Sequence, residues 1–339
     1  MSLITTNTTT KEPNTKVASY YGQSLKPNIG KLTFGNYEFK PWFGNPAYFY
    51  PTEGKYDMLG YNYSNMVTMD PNKRTRSKNY NKNDCYVDHL YICEYCFKYS
   101  IEENEIIQHW SKCKYNTDKP NIGRLVYHDE KKRIMIREIQ GYKDLLFSQN
   151  LSLFGKLFLD DKSVYYNLDH FNFYIYYGID GRTSNYIPMG FFSKEMIAYD
   201  LTTNLACICV FPPFQNRHIG SLLIEFSYEL ANKSQFCSGP EIPLSPYGRI
   251  VYLKYWSKKL ASIIWEEQRN GKLNFSLDKL SQISSFRKED ILYTLEHMNV
   301  LVTTSNDEII LSGNIFNKWL KDNNANTNKN LLDTKSIRL

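Results

Sequence analysis

Four residues between positions 93 and 113 have the types and the spacing of a zinc site. The segment CEYCFKYSIEENEIIQHWSKC follows the pattern Cys-x2-Cys-x12-His-x3-Cys, with Cys93, Cys96, His109 and Cys113 as ligands. A Cys-x-x-Cys turn supplies two ligands for tetrahedral zinc, and a His and a Cys four residues apart share one helical face. Because four protein ligands leave no open coordination position, the pattern predicts structural rather than catalytic zinc.

Two other interpretations of this cluster remain open. In one, the residues are ordinary core cysteines, although four ligand types at finger spacing seldom coincide. In the other, Cys85 and His89 compete as ligands, with a spacing that matches a zinc finger less well. The cluster does not assign a function, because some zinc fingers bind DNA and others only stabilise a fold.

A second chemical signal lies in PPFQNRHIGSLLIEFSYEL, residues 212–230, which predicts a polar turn followed by an amphipathic helix. The preceding NLACICVF is a short apolar run typical of a strand. The N–H groups and the dipole at a helix N-terminus attract phosphate. Gly220 permits close approach of a ligand to the backbone, and Arg217 adds positive charge. Taken alone, one glycine in such a turn is equally typical of a plain structural turn.

The elements around these motifs alternate between strand and helix patterns. GRLVYHDEKKRIMIREIQG predicts a hairpin with its turn at Asp129 to Arg133, and KDLLFSQNLSLFGKLFL has helical spacing. Aromatic strands follow and lead to the run at 205–211. This order predicts an α+β protein with a mixed central sheet rather than a regular βαβ repeat. After residue 270, two short helices, the first capped by Ser276, and a small hairpin form a winged-helix pattern.

Composition limits the class of protein. The 28 Tyr and 19 Phe supply a substantial core, and the net charge of +6 permits acidic partners without identifying one. Seven cysteines, an odd number, and a polar amino terminus without an apolar leader favour a reducing compartment. No segment reaches the roughly 18 apolar residues that span a bilayer. We therefore expect a soluble intracellular protein without a membrane partner.

The strand–turn–helix stretch NLACICVFPPFQNRHIGSLLIEFSYEL resembles the acetyl-CoA-binding segment of the MYST family of histone acetyltransferases. In that family a strand is followed by Gln-Arg-x-Gly-x-Gly and by a helix ending in Phe-Ser-Tyr-Glu-Leu. The zinc pattern and four further stretches match in order and spacing: FGNYEFKPWF, GKLFLDDKSVYYNLDHFNFYIYY, GFFSKE and PEIPLSPYGRIVYLKYW. The resemblance implies an acetyltransferase-type central sheet with flanking helices, an N-terminal zinc-finger module and a C-terminal winged-helix-like module.

With this resemblance, the chain divides into five segments. Both ends are rich in polar residues with little to bury, so we expect them to be mobile. The segments are a disordered tail at 1–30, N-terminal strands and the zinc finger at 31–120, an acetyl-CoA-binding catalytic core at 121–270, a winged-helix-like module at 271–320, and a flexible tail at 321–339.

The cofactor loop departs from the family pattern. Aligned on Gln215 and Gly220, the family's Arg falls on Asn216 and its first Gly falls on His218. A side chain at His218 would obstruct the pyrophosphate if that position needs a positive φ. Alternatively, His218 and Arg217 supply charge and partly compensate. One expectation is therefore weak cofactor binding, or a loop that partner subunits must order.

The resemblance also implies roles for individual side chains. Glu241, on a stiff loop between Pro240 and Pro243, would be the general base for a lysine whose pKa is about 10.4, and partial burial would raise the pKa of Glu241. Cys207 matches a strand cysteine beside the thioester, either as an acetyl-cysteine intermediate or as a packing residue. Direct attack in a ternary complex is the simpler mechanism. Lys156 matches a lysine that becomes acetylated on the enzyme itself.

Contacts to acetyl-CoA are implied in three places. The strand would hold the acetyl and pantetheine end, the loop and first helical turn would hold the pyrophosphate, and a serine in PLS would add a further contact. These residues are Cys207, Ile208, Cys209, Val210, Phe211, Asn216, Arg217, His218, Ile219, Gly220, Ser221, Leu222 and Ser245.

Too few residues precede the catalytic part for a chromo-type barrel or plant-homeodomain fingers, which favours a small, silencing-associated subtype of the family. That subtype implies a nuclear chromatin enzyme that acts on a histone tail of nucleosomes, specifically histone four, with the accessory subunits of a SAS-type complex. Two rival hypotheses are a catalytically weak subunit with an acetyltransferase fold, and a DNA-binding protein built on the zinc finger and the winged-helix pattern.

Overall fold

The computed structural model describes residues 27–45, 48, 87–159, 168–181, 184–196, 202–271, 276–305, 309–323 and 330–338. Cys85 lies outside the described residues, as do most of the predicted N-terminal tail and part of the C-terminal one. The chain divides into two compact units. The first comprises residues 1–116 and 146–168, and the second comprises residues 117–145 and 169–339.

The first unit contains a four-stranded sheet in the order β2–β1–β3–β4, with β1 parallel to β3 and the other pairs antiparallel. Phe34 at its centre stacks on Phe97 and Phe154, with ring centroids 5.8 Å and 5.0 Å away, so aromatic side chains join the sheet to a helix. Its elements are β1 (Ile29–Phe34), β2 (Tyr37–Phe39), β3 (Val87–Ile92), β4 (Tyr99–Ser100), α1 (Glu103–Lys112) and α2 (Leu145–Lys156).

The second unit is built on a five-stranded sheet in the order β10–β8–β7–β6–β5. Both central strands, β7 and β8, are buried along almost their whole length, as expected when both faces of a sheet are covered. Every pairing in this sheet is antiparallel. The mixture of strand directions expected from the sequence lies elsewhere, in the pair β1–β3 and in the pair of β9 (Thr203–Leu205) with β11 (Gly239–Pro240). The strands are β5 (Arg124–Asp129), β6 (Ile134–Gln140), β7 (Phe171–Ile179), β8 (Tyr186–Glu195) and β10 (Cys207–Val210).

Two long helices and a short parallel pair of strands accompany this sheet. The longer helix begins where Ser245 caps it and Pro246 occupies its first turn, and buried Leu253, Trp256 and Leu260 recur at helical spacing along one side. That side packs into a cluster with Phe286 and other residues from the carboxy-terminal helices. These elements are α3 (Ile219–Lys233), α4 (Pro246–Arg269), β9 (Thr203–Leu205) and β11 (Gly239–Pro240). Among the described residues, no helix is long and apolar enough to cross a membrane.

The carboxy-terminal part of the second unit has the predicted order of two short helices and an antiparallel hairpin. Ser276 caps the first helix, as predicted, by accepting a hydrogen bond from the Lys279 amide at 3.1 Å. A further helix, which the sequence analysis did not predict, extends past the expected boundary at residue 320. The elements are α5 (Leu277–Ser284), α6 (Lys288–His297), β12 (Leu301–Thr303), β13 (Ile309–Leu311) and α7 (Gly313–Asp322).

The structure differs from the predicted segments in three places. Strand β1 begins at Ile29, inside the expected disordered tail at 1–30, and residues 146–168 group with the first unit rather than with the segment 121–270. Residues 330–338, expected to be part of the flexible tail at 321–339, are bound to the second unit. The Arg338 amide donates to the Val126 carbonyl at 2.8 Å, and Leu332 is buried. These contacts were not predicted because a short apolar segment in a polar tail does not indicate long-range contacts.

Candidate active site

The four predicted zinc ligands converge in the first unit. The ligand atoms of Cys93, Cys96, His109 and Cys113 all lie within 4.8 Å of one another. Cys93 and Cys113 have their Sγ atoms 4.0 Å apart, close to the roughly 3.8 Å that two thiolates adopt on tetrahedral zinc. The Cys96 Sγ lies 3.1 Å from His109 Nε2. The donor set therefore fits a four-coordinate zinc ion, and His89 is not part of this group of described residues.

Local backbone structure creates this cluster. The Cys93 amide donates to the Lys98 carbonyl, and the Phe97 amide donates to the Cys93 carbonyl, both at 2.8 Å, which closes a tight turn after β3. Phe97 adopts a positive φ of 61° to complete the turn. The twelve-residue spacer holds β4 and most of α1, and Cys113 lies just beyond the last helical residue.

The thiols in the cluster influence one another. Hydrogen bonds from Cys93 and Cys96 lower the pKa of Cys113, whereas hydrogen bonds with Cys113 and Cys96, followed by burial, raise the pKa of Cys93. Thiolates are the metal-binding form of cysteine, so three closely spaced cysteines beside an imidazole suit a divalent cation.

The predicted anion-binding loop lies at an edge of the five-stranded sheet. β10 pairs with β8 on one side only and is the edge strand of that sheet, so its other side presents backbone groups that β8 does not use. A 3₁₀ turn at Pro212–Phe214 follows, and the Gln215 Nε2 donates to the Val210 carbonyl at 2.9 Å. This bond closes the loop on the strand that precedes it.

The loop then places two residues in the left-handed region. Asn216 has a φ of 60° and His218 a φ of 61°, and the side chains of both are exposed. In the alignment made from the sequence, His218 falls on the family's first glycine, and its side chain was expected to obstruct the pyrophosphate if this position needs a positive φ. The position does have a positive φ. Asn and His tolerate this conformation better than most residues, but a glycine adopts it without strain.

The amino-terminal end of α3 is open to an anion. His218 is its N-cap residue and makes no side-chain capping bond, and no acidic residue lies in the first turn. The first intrahelical acceptor is used by Leu222, whose amide donates to the His218 carbonyl at 3.0 Å, so the amides of Ile219, Gly220 and Ser221 have no partner within the helix. A Cβ on Gly220 would meet only Val210 Cγ2, at 3.6 Å, so a ligand can approach the backbone there.

Arg217 contributes charge to this loop. It is exposed, its guanidinium lies 5.5 Å from the Phe214 ring centroid, and its Nη2 donates to the Pro213 carbonyl at 3.5 Å. These weak contacts leave the cation at the surface beside the helix N-terminus. Together, helix dipole, exposed cation and glycine form a cradle whose chemistry fits a diphosphate.

The two strand cysteines differ in exposure. Cys207 is half-buried and Cys209 is buried, with both on the edge strand β10. Ser193 on β8 accepts a hydrogen bond from the Cys207 amide through its Oγ at 3.3 Å. Ser193 was not predicted as a site residue, although its place in GFFSKE, on a strand predicted near the site, was a usable signal.

The backbone of Glu241 is hydrogen-bonded to a residue just before Cys207. It directly follows β11, which pairs in parallel with β9, and its amide donates to the Leu205 carbonyl at 2.8 Å. Its side chain is exposed, so the partial burial expected from the sequence is not present. Ser245, four residues on, is also exposed, and its Oγ accepts from the Gly248 amide at 3.1 Å as the cap of α4.

Lys156 belongs to the first unit, whereas the other predicted active-site residues belong to the second. It is the last residue of α2 and is only 2% exposed. A lysine that is buried to this extent is unusual and depends on its surroundings for partners.

One residue that contacts the Glu241 loop was not predicted from the sequence. Arg287, from the carboxy-terminal part of the second unit, donates to the Pro240 carbonyl through Nη2 at 2.9 Å. Because 47 positions separate the two residues, no local pattern in the sequence indicates the contact.

Comparisons with known proteins identify relatives of this chain. Residues 119–337 match the model of the MOZ/SAS family. The chain is 37% identical over 312 residues to the histone acetyltransferase SAS2 of Saccharomyces cerevisiae, covering 92% of this chain and 85% of that protein. It is 35% identical over 273 residues to the histone acetyltransferase MOF of Drosophila melanogaster, covering 80% of this chain.

A third relative is the histone acetyltransferase Tip60 homolog of Caenorhabditis elegans, 37% identical over 215 residues and 63% of this chain. The matches span only 28% of the length of the Drosophila protein and 45% of the Caenorhabditis protein. The family model covers well over half of this chain, and the three relatives are 35–37% identical to this chain. The chain therefore belongs to the MOZ/SAS family of MYST-type histone acetyltransferases.

Proposed function

We propose that this protein transfers an acetyl group from acetyl-CoA to a lysine of a histone tail, with Glu241 as general base and direct attack in a ternary complex. The observation that carries the proposal is the hydrogen bond of 2.8 Å from the Glu241 amide to the Leu205 carbonyl. This bond fixes the backbone of the loop that bears the carboxylate two residues before Cys207. The backbone of Glu241 is thus bonded to the last residue of β9, just before the edge strand β10 that leads into the anion-binding loop.

The protein's part in this reaction is to bind and to accept a proton. Acetyl-CoA supplies the thioester carbonyl. An incoming lysine is protonated at neutral pH, with a pKa of about 10.4, and cannot attack until the proton is removed. The exposed Glu241 carboxylate is accessible for that transfer, and its backbone is fixed by β9. Cys207 would then act as a packing and positioning residue of β10 rather than as a nucleophile.

The remaining cofactor contacts follow from the geometry of the loop. Backbone groups of residues 207–211 that β8 does not use would hold the acetyl and pantetheine end. The amides at the start of α3 that have no partner within the helix, together with the cation of Arg217, would hold the pyrophosphate. Ser245 caps α4, so any contact it makes to the cofactor would come from its remaining hydrogen-bonding capacity.

The zinc cluster has a structural role in this proposal. Four protein ligands leave no open position for substrate, so the ion would hold the first unit together rather than take part in transfer. The carboxy-terminal helices and hairpin would form a winged-helix-like module, and that module would contact DNA. Lys156 would be the site of acetylation on the enzyme itself.

The similarity to the yeast protein supports a more specific assignment. We infer a nuclear, chromatin-directed enzyme that acts on the tail of histone four in nucleosomes, in the context of silencing and with the accessory subunits of a SAS-type complex. An identity of 37% over 92% of this chain and 85% of the yeast protein supports this subtype.

Acetylation of purified nucleosomes tests the proposal. The protein, with and without co-purifying subunits, is incubated with acetyl-CoA, and the acetylated lysines are identified by mass spectrometry. Acetyl-CoA binding is measured separately by calorimetry. Transfer to a lysine in the tail of histone four is the expected result, and failure to bind acetyl-CoA while zinc stays bound would contradict it.

A second candidate function is a catalytically weak subunit with the same fold. It is favoured by His218, whose side chain occupies a left-handed position at the start of the cofactor helix. Under this hypothesis acetyl-CoA binds weakly and partner subunits reorder the loop. A large increase in cofactor affinity upon adding the co-purifying subunits would support it.

A further inference from the structure

The peptide that links Pro240 to Glu241 is held at both of its polar groups. Its N–H, from Glu241, donates to the Leu205 carbonyl at 2.8 Å. Its carbonyl, from Pro240, accepts from the Arg287 guanidinium at 2.9 Å. Because a peptide group is planar, fixing both ends fixes the plane, and the Cα of Glu241 is the next atom along the chain.

Arg287 is itself held in place by Asp290. The Arg287 Nε donates to Asp290 Oδ2 at 2.8 Å and Nη2 lies 3.3 Å from Oδ1, which is the two-point geometry that fixes a guanidinium against a carboxylate. The side chains are 18% and 12% exposed, so solvent competes little with the pair. Nη2 therefore reaches Pro240 from a fixed position.

The neighbouring backbone is shaped to admit this pair. Gly239 precedes Pro240, and a Cβ there would overlap both the Asp290 carboxylate and the Arg287 guanidinium. The Ser238 amide donates to the Ser285 carbonyl at 2.9 Å. Residues 238–241 are thus bound on one side by β9 and on the other by residues 285–287.

The local sequence of α6 gives a separate reason to assign Arg287 a function. Arg287 is the N-cap residue of this helix, a position where Ser, Thr, Asp and Asn are favoured because their side chains accept from the first turn. Arginine has no acceptor, and it makes no capping bond here. A residue that is unfavourable for its own helix but forms an ordered contact elsewhere is typical of functional positions.

We propose that Arg287 is a positioning residue for Glu241: it holds the Pro240 carbonyl and so sets where the Glu241 carboxylate lies. This inference rests on the proposed function, in which Glu241 is the general base. Displacement of a catalytic group by about 1 Å can cost roughly 100-fold in rate. Arg287 touches neither the lysine nor the thioester in this role, and it acts only through the loop.

Arg287→Lys is the main test, since lysine keeps the charge beside Asp290 but cannot donate to both partners in the fixed geometry of a guanidinium. We expect kcat on a histone tail peptide to fall about 10- to 100-fold, with the acetyl-CoA Kd changed less than about twofold. Asp290→Asn, which releases Arg287 without removing it, should give a similar pattern.

Lys288→Gln is the matched control, because Lys288 is next in sequence, exposed, and paired with Asp278. This substitution should leave kcat unchanged.

A double-mutant cycle with Glu241→Gln separates positioning from general destabilisation. If Arg287 acts through Glu241, Arg287→Lys will not further reduce the residual rate of Glu241→Gln, whereas independent effects would multiply. Unchanged kcat in Arg287→Lys and Asp290→Asn, together with an inactive Glu241→Gln, would overturn this inference alone. A fully active Glu241→Gln would instead overturn the proposed function, so the two failures are distinguishable.

Discussion

The carboxylate of Glu225, on the buried side of α3, accepts a hydrogen bond from the backbone amide of Leu331 at 3.0 Å. The Leu332 amide lies 3.5 Å from the other carboxylate oxygen, and the Asp333 amide donates to the Tyr127 hydroxyl at 3.2 Å. Burial raises the pKa of Glu225, and these amide donors oppose that shift. Residues 330–338 are thus a structural part of the second unit.

Leu332→Ala should lower the free energy of unfolding by about 2 kcal/mol, because this side chain is 4% exposed and its removal leaves a cavity. Thermal and urea unfolding measure the change. Lys335→Ala is the control in the same segment, exposed in the structure and expected to change stability by less than about 0.5 kcal/mol. Equal stability of the two variants would show that the segment does not pack in solution as it does in the structure.

This segment illustrates what the sequence could not reveal. The Glu225–Leu331 and Arg287–Pro240 contacts join positions that are far apart in the chain, and each depends on the fold that brings them together. The residues at 331 and 332 are two leucines in a polar stretch, a pattern too short to separate a packed segment from a mobile tail. Antiparallel pairing throughout the central sheet was also missed, since alternation of apolar residues does not encode strand direction.

Local signals were more informative. The Cys-x2-Cys turn and the helical spacing near His109 depend on neighbours within a few residues, and the structure brings those side chains together. Ser276 capped its helix as predicted, because capping involves only the next three residues. The exposure of Glu241 was not predicted, since burial of a loop side chain depends on elements distant in sequence.

Removal of the metal should unfold the first unit. Structural zinc in small finger domains contributes about 10–16 kcal/mol of apparent binding free energy at neutral pH, and four ligands converge here. Cys96→Ser should lose zinc and lower the melting temperature, as measured by elemental analysis and thermal unfolding. Cys237→Ser, at an exposed cysteine outside the cluster, is the control. Full zinc content in Cys96→Ser would exclude that residue as a ligand.

Glu241→Gln should reduce kcat by about 10²- to 10⁴-fold, because the amide is similar in size but cannot accept a proton at neutral pH. Acetyl-CoA affinity should persist, since the loop at 216–222 is unchanged. Steady-state transfer to a histone tail peptide and calorimetric cofactor binding measure the two quantities. Glu266→Gln, an exposed glutamate on α4, serves as the control. Equal loss of activity in both variants would point to a general effect of lost charge.

His218→Gly should strengthen acetyl-CoA binding. The substitution removes an imidazole from the N-cap of α3 and restores a residue that adopts a φ of 61° without strain. The relief of strain, about 1 kcal/mol, is offset by the greater freedom of glycine in the unfolded chain, so the free energy of unfolding should change little. We expect Kd to fall about 10-fold, equivalent to about 1.4 kcal/mol.

His218→Ala distinguishes the two possible causes of that gain. Alanine removes the imidazole but keeps a Cβ at the left-handed position, so a gain equal to that of glycine would identify the ring as the obstacle. A gain with glycine alone would show that the diphosphate must approach the backbone at residue 218 itself. Asn216→Gly is the control at the other left-handed position of the loop. Weaker binding in His218→Gly would instead show that the imidazole contributes to holding the anion, as the alternative interpretation of the loop requires.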